Sequence, residues 1–181
     1  MAGMNLLVRA VRADEWRAVR ELRLAALRDP VAHLAFLETY EEASARPDAF
    51  WKERTESAAE GARERQQFVV EGEDGGWVGT VIVLLEEAGA RDFFGGIVER
   101  RQAHLVGVFV RDGFRGKGVG EAMFAAAVDW ARGAGVERVR LFVNEGNGRA
   151  AAFYRRVGFV GSGVTVEGDE GLELEYVLAS A

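Results

Sequence analysis

Apolar and polar positions follow two different rhythms along the chain, and the change between them divides it into recognisable elements. Leu6 to Val11 is an apolar run of strand length. Beyond it Trp16, Val19, Leu22, Leu24 and Leu27 recur near helical spacing, with Asp14 as the expected N-cap and Asp29-Pro30 as the stop. Val31 to Tyr40 reads as a short second helix or turn, and Pro47 suits the first turn of another helix ending near Ala59. The rhythm then becomes that of strands. Gln67–Glu71 and Trp77–Leu85 are two of them, and Asp74-Gly75-Gly76 is the turn that joins them into a hairpin. A loop of about fifteen residues follows, long enough to expect function or motion in it. Leu105–Val110 is a third strand-length run. The segment Glu121–Arg132 is helical, with Val119, Met123, Ala126, Ala127 and Trp130 on one face. Val139–Val143 alternates as a strand. Asn147 is placed to cap a short helix to Val157, which Gly158 ends, and Phe159–Val166 and Leu172–Leu178 read as the last two strands. This order predicts an α/β (α+β) fold, a single domain over 1–181 built on one mixed sheet with helices packed against it.

Composition narrows the chemistry. The 181 residues are 49% hydrophobic and 29% charged, as expected of a soluble fold with a sizeable core. There is no apolar run of about 18 residues, so no membrane span is expected. The first residues lack the apolar core of a signal peptide, and a cytoplasmic location is the resulting expectation. Cysteine is absent, which excludes disulfides, thiolate zinc sites and a cysteinyl intermediate. With His33 and His104 the only histidines, no metal site is expected. The net charge of −6 disfavours nucleic acid as a partner. The charge is uneven, however: Arg100, Arg101, Arg111, Arg115 and Lys117 surround the single acid Asp112. Such a local basic cluster suits a small polyanion.

That cluster ends in Arg115-Gly116-Lys117-Gly118-Val119-Gly120, between a strand and an amphipathic helix. The first amides of a helix have no internal partner, the helix dipole adds positive potential there, and glycines let phosphate oxygens approach the backbone. Spacing excludes two familiar phosphate loops. A P-loop requires glycine five residues before Gly116, where Arg111 stands, and a dinucleotide fingerprint requires its third glycine one residue later than Gly120.

The remaining pattern resembles the pyrophosphate loop of the GNAT N-acetyltransferase superfamily, [QR]-x-x-G-x-[GA], filled here by Arg115, Gly118 and Gly120. A second block strengthens the resemblance: Leu141-Phe142-Val143, Asn147, Ala150, Phe153-Tyr154 and Gly158-Phe159 match the family's following strand and helix. The match is close from His104 to Phe159 and looser outside it.

The resemblance implies a mostly antiparallel sheet of about six to seven strands, splayed between the strands at 104–110 and 137–143. It implies acetyl-CoA as co-substrate and direct transfer to a primary amine of a small molecule in a ternary complex. A protein or peptide acceptor and a non-catalytic acyl-CoA sensor are the alternatives. By the same resemblance Val108, Phe109 and Val110 hold the pantetheine arm and thioester, while Arg115, Gly116, Lys117, Gly118, Val119 and Gly120 hold the pyrophosphate. Asn147, Ala150, Phe153 and Tyr154 complete the coenzyme site, with Tyr154 as general acid. His104 and Glu38 are the candidate bases for the amine, and Phe36 and Trp51 are candidates for the acceptor wall. An apolar last strand, Leu172–Leu178, would permit a homodimer.

Overall fold

The strand-length runs become one sheet. In the computed structural model, which describes residues 3–179, these are β1 (Leu7–Ala10), β2 (Arg65–Glu71), β3 (Trp77–Glu86), β4 (Gln102–Val110), β5 (Val139–Asn144), β6 (Phe159–Gly168) and β7 (Gly171–Leu178). They lie in the order β1-β2-β3-β4-β5-β7-β6, all neighbours antiparallel except β4 and β5. Alternation along the strands sends Phe68, Val70, Val81, Val83, Ala103 and Leu105 to one face. There they meet α5 (Val119–Gly133) and α6 (Gly148–Arg156). Val69 and Phe109 point the other way, toward α1 (Trp16–Leu27), α3 (Tyr40–Ser44) and α4 (Asp48–Ser57), whose Trp51 is fully buried. A short α2 (Ala32–Ala35) follows α1. The sheet thus has helices on both faces.

Several boundaries differ from expectation for local reasons. The N-cap of α1 is Glu15, not Asp14. The Glu15 carboxylate accepts from the Arg12 amide and from Arg9, which also reaches Glu71, so it ties β1 and β2 to the helix start. Pro47 is itself the N-cap of α4 rather than a residue of its first turn. Helix α3 is an element that apolar spacing misses. Its signal is the capping box Thr39-x-x-Glu42, in which each side chain takes the other residue's backbone N–H. The last strand, β7, lies between β5 and β6, so both its edges are already paired. The sheet edge at that end is β6, exposed along most of its length and broken by a bulge between Gly161 and Thr165.

Two irregularities shape the site. β4 and β5 pair only at Ala103↔Val139 and His104↔Arg140, then diverge. The expected splay is therefore present, and the β5-facing edge of β4 beyond His104 has no backbone partner strand. A bulge sets Gly107 and Val108 against Val81 alone, with Gly107 at φ +64°, a conformation that favours glycine.

The loop at 87–101 folds over the paired end of these strands and closes a polar layer. Arg140 donates to Glu86 at 2.9 Å, Asp92 at 3.0 Å and Glu175 at 2.9 Å. The Phe93 amide donates to Glu86, and Asp92 also accepts from the Phe94 and Gly96 amides. Burial alone would raise the Glu86 carboxyl, but His104, Arg140 and the Phe93 amide outweigh it and hold it down to about 2. A carboxyl held below its ordinary value stabilises the fold above that ordinary value and loses the contribution as pH falls toward 2. The carboxyls of Glu15, Asp29, Glu38 and Glu175 are lowered as well. Unfolding free energy from urea titrations is therefore expected to fall steadily from about pH 4.5 to about pH 2, and Glu86→Gln should make that slope shallower. A slope identical to wild type would exclude Glu86 as a contributor.

Candidate active site

The splay opens into a cavity of about 370 Å³. One wall is β4 itself, through Val108, Phe109 and Val110. The wall opposite is α6 and its cap, through Asn147, Ala150, Phe153 and Tyr154. Segment 29–36, including α2, closes a third side with Asp29, Val31 and Phe36, and the glycine loop forms the end with Arg115, Gly116 and Gly120.

The loop is built for close approach to the backbone. Gly118 caps α5 at φ +85°, and its carbonyl accepts from Ala122, the first closed turn of the helix. The preceding amides have no intrahelical partner. A Cβ at Gly116 or Gly118 would meet no atom within 4 Å, so both face open space. Gly120 is the opposite case. A Cβ there would lie 2.6 Å from Phe153 Cζ, so this glycine is what lets α6 pack against α5. The cationic members are less free than their sequence suggests. Arg115 donates to Asp29 at 2.5 Å and to Asp112 at 3.2 Å. Lys117 sits over the Phe114 ring, outside the cavity wall. Val119 is 1% exposed in the main core, so its side chain is structural and only its amide faces the loop's task.

Two cations that motif spacing does not name line the cavity as well, Arg149 and Arg156. Their signal lies in helical periodicity: 149, 153 and 156 share one face of α6, the face that carries Phe153 into the wall. Asn147 is both cap and wall, its Oδ1 accepting from the Ala150 amide at 3.3 Å. Tyr154 is 8% exposed and stacks on Phe124, and burial pushes its phenol above the ordinary tyrosine range. The hydroxyl therefore stays protonated throughout the neutral range.

Neither candidate base reaches this cavity. His104 is 1% exposed, enclosed by Phe93, Phe94 and Phe142, with Nδ1 3.6 Å from Glu86 Oε2. It belongs to the polar layer under the 87–101 loop, not to an open strand end. Glu38 pairs with Arg23 at 2.9 Å, Arg46 at 3.4 Å and Arg54 at 3.9 Å. Burial would raise its carboxyl, but these arginines outweigh that and hold it below its ordinary value, which makes it a weak base. Trp51 is core, under α4, while Phe36 does line the cavity.

The profile described as Acetyltransferase (GNAT) family matches residues 16–159. The chain belongs to that family. A relative, an uncharacterized N-acetyltransferase of Methanocaldococcus jannaschii, is 38% identical over 63 residues. That match covers 35% of this chain and 28% of the relative's length. Among solved structures, the PaiA N-acetyltransferase from Thermoplasma acidophilum in complex with coenzyme A superposes with a TM-score of 0.71 at 14% identity, over 95% of this chain and 98% of that one. A GCN5-related N-acetyltransferase from Kribbella flavida gives 0.67 at 19% identity, over 95% and 96%. Likeness at such identity establishes the GNAT fold, with its splayed sheet. Among the described residues no group of three or more His, Asp or Glu side chains is placed to hold a metal ion, and no helix is long and apolar enough to cross a membrane.

Proposed function

We propose that this GNAT protein transfers the acetyl group of acetyl-CoA to a primary amine of a small molecule by direct attack in a ternary complex. The observation that carries the reading is the unpaired edge of β4, which opens onto a 370 Å³ cavity ending at the free amides of α5. The residues fit the donor. The amides of Val119, Gly120 and Glu121 and the open faces of Gly116 and Gly118 suit a pyrophosphate, helped by Arg149 and Arg156. Backbone groups of Val108 and Val110 suit the amides of a pantetheine arm, in the manner of an added strand. When bound, coenzyme A supplies an activated acetyl thioester. An amide of Val108 or Phe109 polarises the thioester carbonyl.

Tyr154 serves the departing sulfur. A phenol whose affinity for its proton is raised by burial is a weaker acid than a thiol of ordinary pKa about 8.5, so complete transfer is uphill. Tyr154 acts by a hydrogen bond to the developing thiolate; as the C–N bond forms and the C–S bond breaks, the proton given up by the nitrogen passes through water to the departing sulfur. Tyr154→Phe is then expected to lower kcat about 10–100-fold while the calorimetric Kd for acetyl-CoA changes less than about threefold. Wild-type turnover in that variant would remove Tyr154 from the mechanism. The reading as a whole is tested by thiol release from acetyl-CoA against amino acids, polyamines, aminoglycosides and peptides. Absence of calorimetric binding of acetyl-CoA would overturn it.

A further inference from the structure

Beside the donor cavity, on the α1–α4 face of β4, lies an accumulation of positive charge that the reaction described so far does not use. Arg23 comes from α1 and Arg54 from α4, and both face a small cavity of about 20 Å³ bordered by Gly107 of the bulge, Thr80 and Gln67. This volume admits roughly one water-sized group, so an anion meeting these arginines would place one oxygen there and the rest of itself outside it. The two cavities are neighbours. Gly107 borders the small one and Val108 the large one, and the Arg23 guanidinium lies 4.5 Å over the ring of Phe36, which lines the large one. The two arginines thus lie beside the β4 bulge, next to the donor cavity but outside its own wall.

The charges do not balance. Among the described residues Arg23, Arg46 and Arg54 share Glu38 as their only salt-bridge partner, and Arg65 adds a further positive field at Arg54. Glu38 bonds well with Arg23 at 2.9 Å but stands 3.9 Å from Arg54. Burial and the neighbouring Arg23 push the Arg54 guanidinium down to about 10, which is the behaviour of a desolvated cation short of a counter-ion. Helix α4 also carries two enclosed polar atoms without a hydrogen-bond partner among the described residues, Trp51 Nε1 and Thr55 Oγ1, although neither residue lines either cavity. Both guanidiniums are half-buried, and a cation partly withdrawn from water gains from an anion that arrives to pair with it.

We infer that Arg54 and Arg23 form an oxyanion-binding subsite for the acceptor, so that the amine substrate also carries a carboxylate or phosphonate, as an amino acid or aminophosphonate does. This rests on the acetyltransferase reading above. Glu38 is then a clamp that fixes the planar fork of Arg23 and leaves Arg54 available. The guanidinium fork matches a carboxylate in two parallel hydrogen bonds, which holds the amine at a fixed distance from the bulge at Gly107–Val108.

The test compares acceptors that differ only in the anion: L-amino acids, the matching aminophosphonates and the matching amino acid amides, each with acetyl-CoA and thiol detection. The amide keeps the amine, and its amine is less basic and more often neutral, so a simple amine site would favour it. Wild-type protein is expected to favour at least one oxyanion series over its amides by about tenfold or more in kcat/KM, and the better of the carboxylate and phosphonate arms names the anion. Arg54→Gln should raise KM for the oxyanion series at least about tenfold while amide rates stay within about twofold, and Arg54→Lys should restore part of the preference. Thermal unfolding identifies a variant that fails to fold, and the wild-type comparison then decides alone. Should no amine be turned over, binding of N-acetyl amino acids and N-acetyl phosphonates against N-acetyl amino acid amides to the CoA-saturated protein decides in the same way. Equal treatment of oxyanion and amide, or binding of neither, overturns the subsite. Failure to bind coenzyme A at all overturns instead the acetyltransferase reading.

Discussion

Gly120→Leu is expected to weaken coenzyme A binding by at least about 100-fold, or about 2.7 kcal/mol, in calorimetric titration. The cause is steric and local. The first side-chain carbon would stand 2.6 Å from Phe153 Cζ and 2.9 Å from Cε2, and a leucine extends further. Phe153 can yield only into the cavity whose wall it forms, because it meets Phe124 edge-on at 5.2 Å on its other side. Overpacking of this kind costs about 1–3 kcal/mol of stability, so the variant should fold at low temperature while its cavity is filled by the displaced ring or by the new side chain. Gly113→Ala is the control, since a Cβ there meets nothing within 4 Å, and its binding should equal wild type. Unchanged affinity in Gly120→Leu would dissociate the loop from donor binding.

The second large effect is on stability. Arg140→Met should cost about 3–5 kcal/mol, measured as the loss of unfolding free energy in urea. Arg140 is 5% exposed and donates to three carboxylates, those of Glu86, Asp92 and Glu175. Removing it leaves Glu86 and Asp92 close together under the 87–101 loop without their arginine, and Glu175 with Arg138 alone. The acid response should become shallower as well, because Glu86 and Glu175 lose the arginine that favours their charged forms, while Glu15, Asp29 and Glu38 keep their own partners. Arg140→Lys should recover only part of the loss, because one ammonium cannot address three carboxylates in separate directions. An acid-side slope like that of wild type would show that the layer is not organised by Arg140.

Much of the architecture is written in simple periodicities. The amphipathic rows of α1 and α5 and the strand runs of β2 to β5 are legible because each buries a defined face, and the glycine loop because its chemistry constrains residue type directly. The polar layer is not legible in the same way. Glu86, Asp92, Arg140 and Glu175 are far apart in sequence, and each alone reads as a solvated charge. Only the sheet order, which brings β3, β5 and β7 under one loop, makes them a unit. His104 was open to misreading for the same reason: a titratable residue at the expected place in β4 suggests a base, but an 87–101 loop carrying Phe93 and Phe94 encloses it. Glu38 shows the converse, since the arginines around it come from α1, from α4 and from the turn before α4.

The brief contact between β4 and β5 has a mechanical consequence. Among the described residues two pairs, Ala103↔Val139 and His104↔Arg140, are the only ladder joining the four N-terminal strands to the three C-terminal ones. The sheet is thus two leaves on a short spine, and Arg140, a member of the last rung, also bolts the loop above it to both leaves through Glu86 and Glu175. A ligand seated between β4 and β5 would lengthen that spine, turning two rungs into a continuous ladder. The donor would then be a structural part of the protein for as long as it stays bound, and the leaves would be stiffest just when the chemistry takes place.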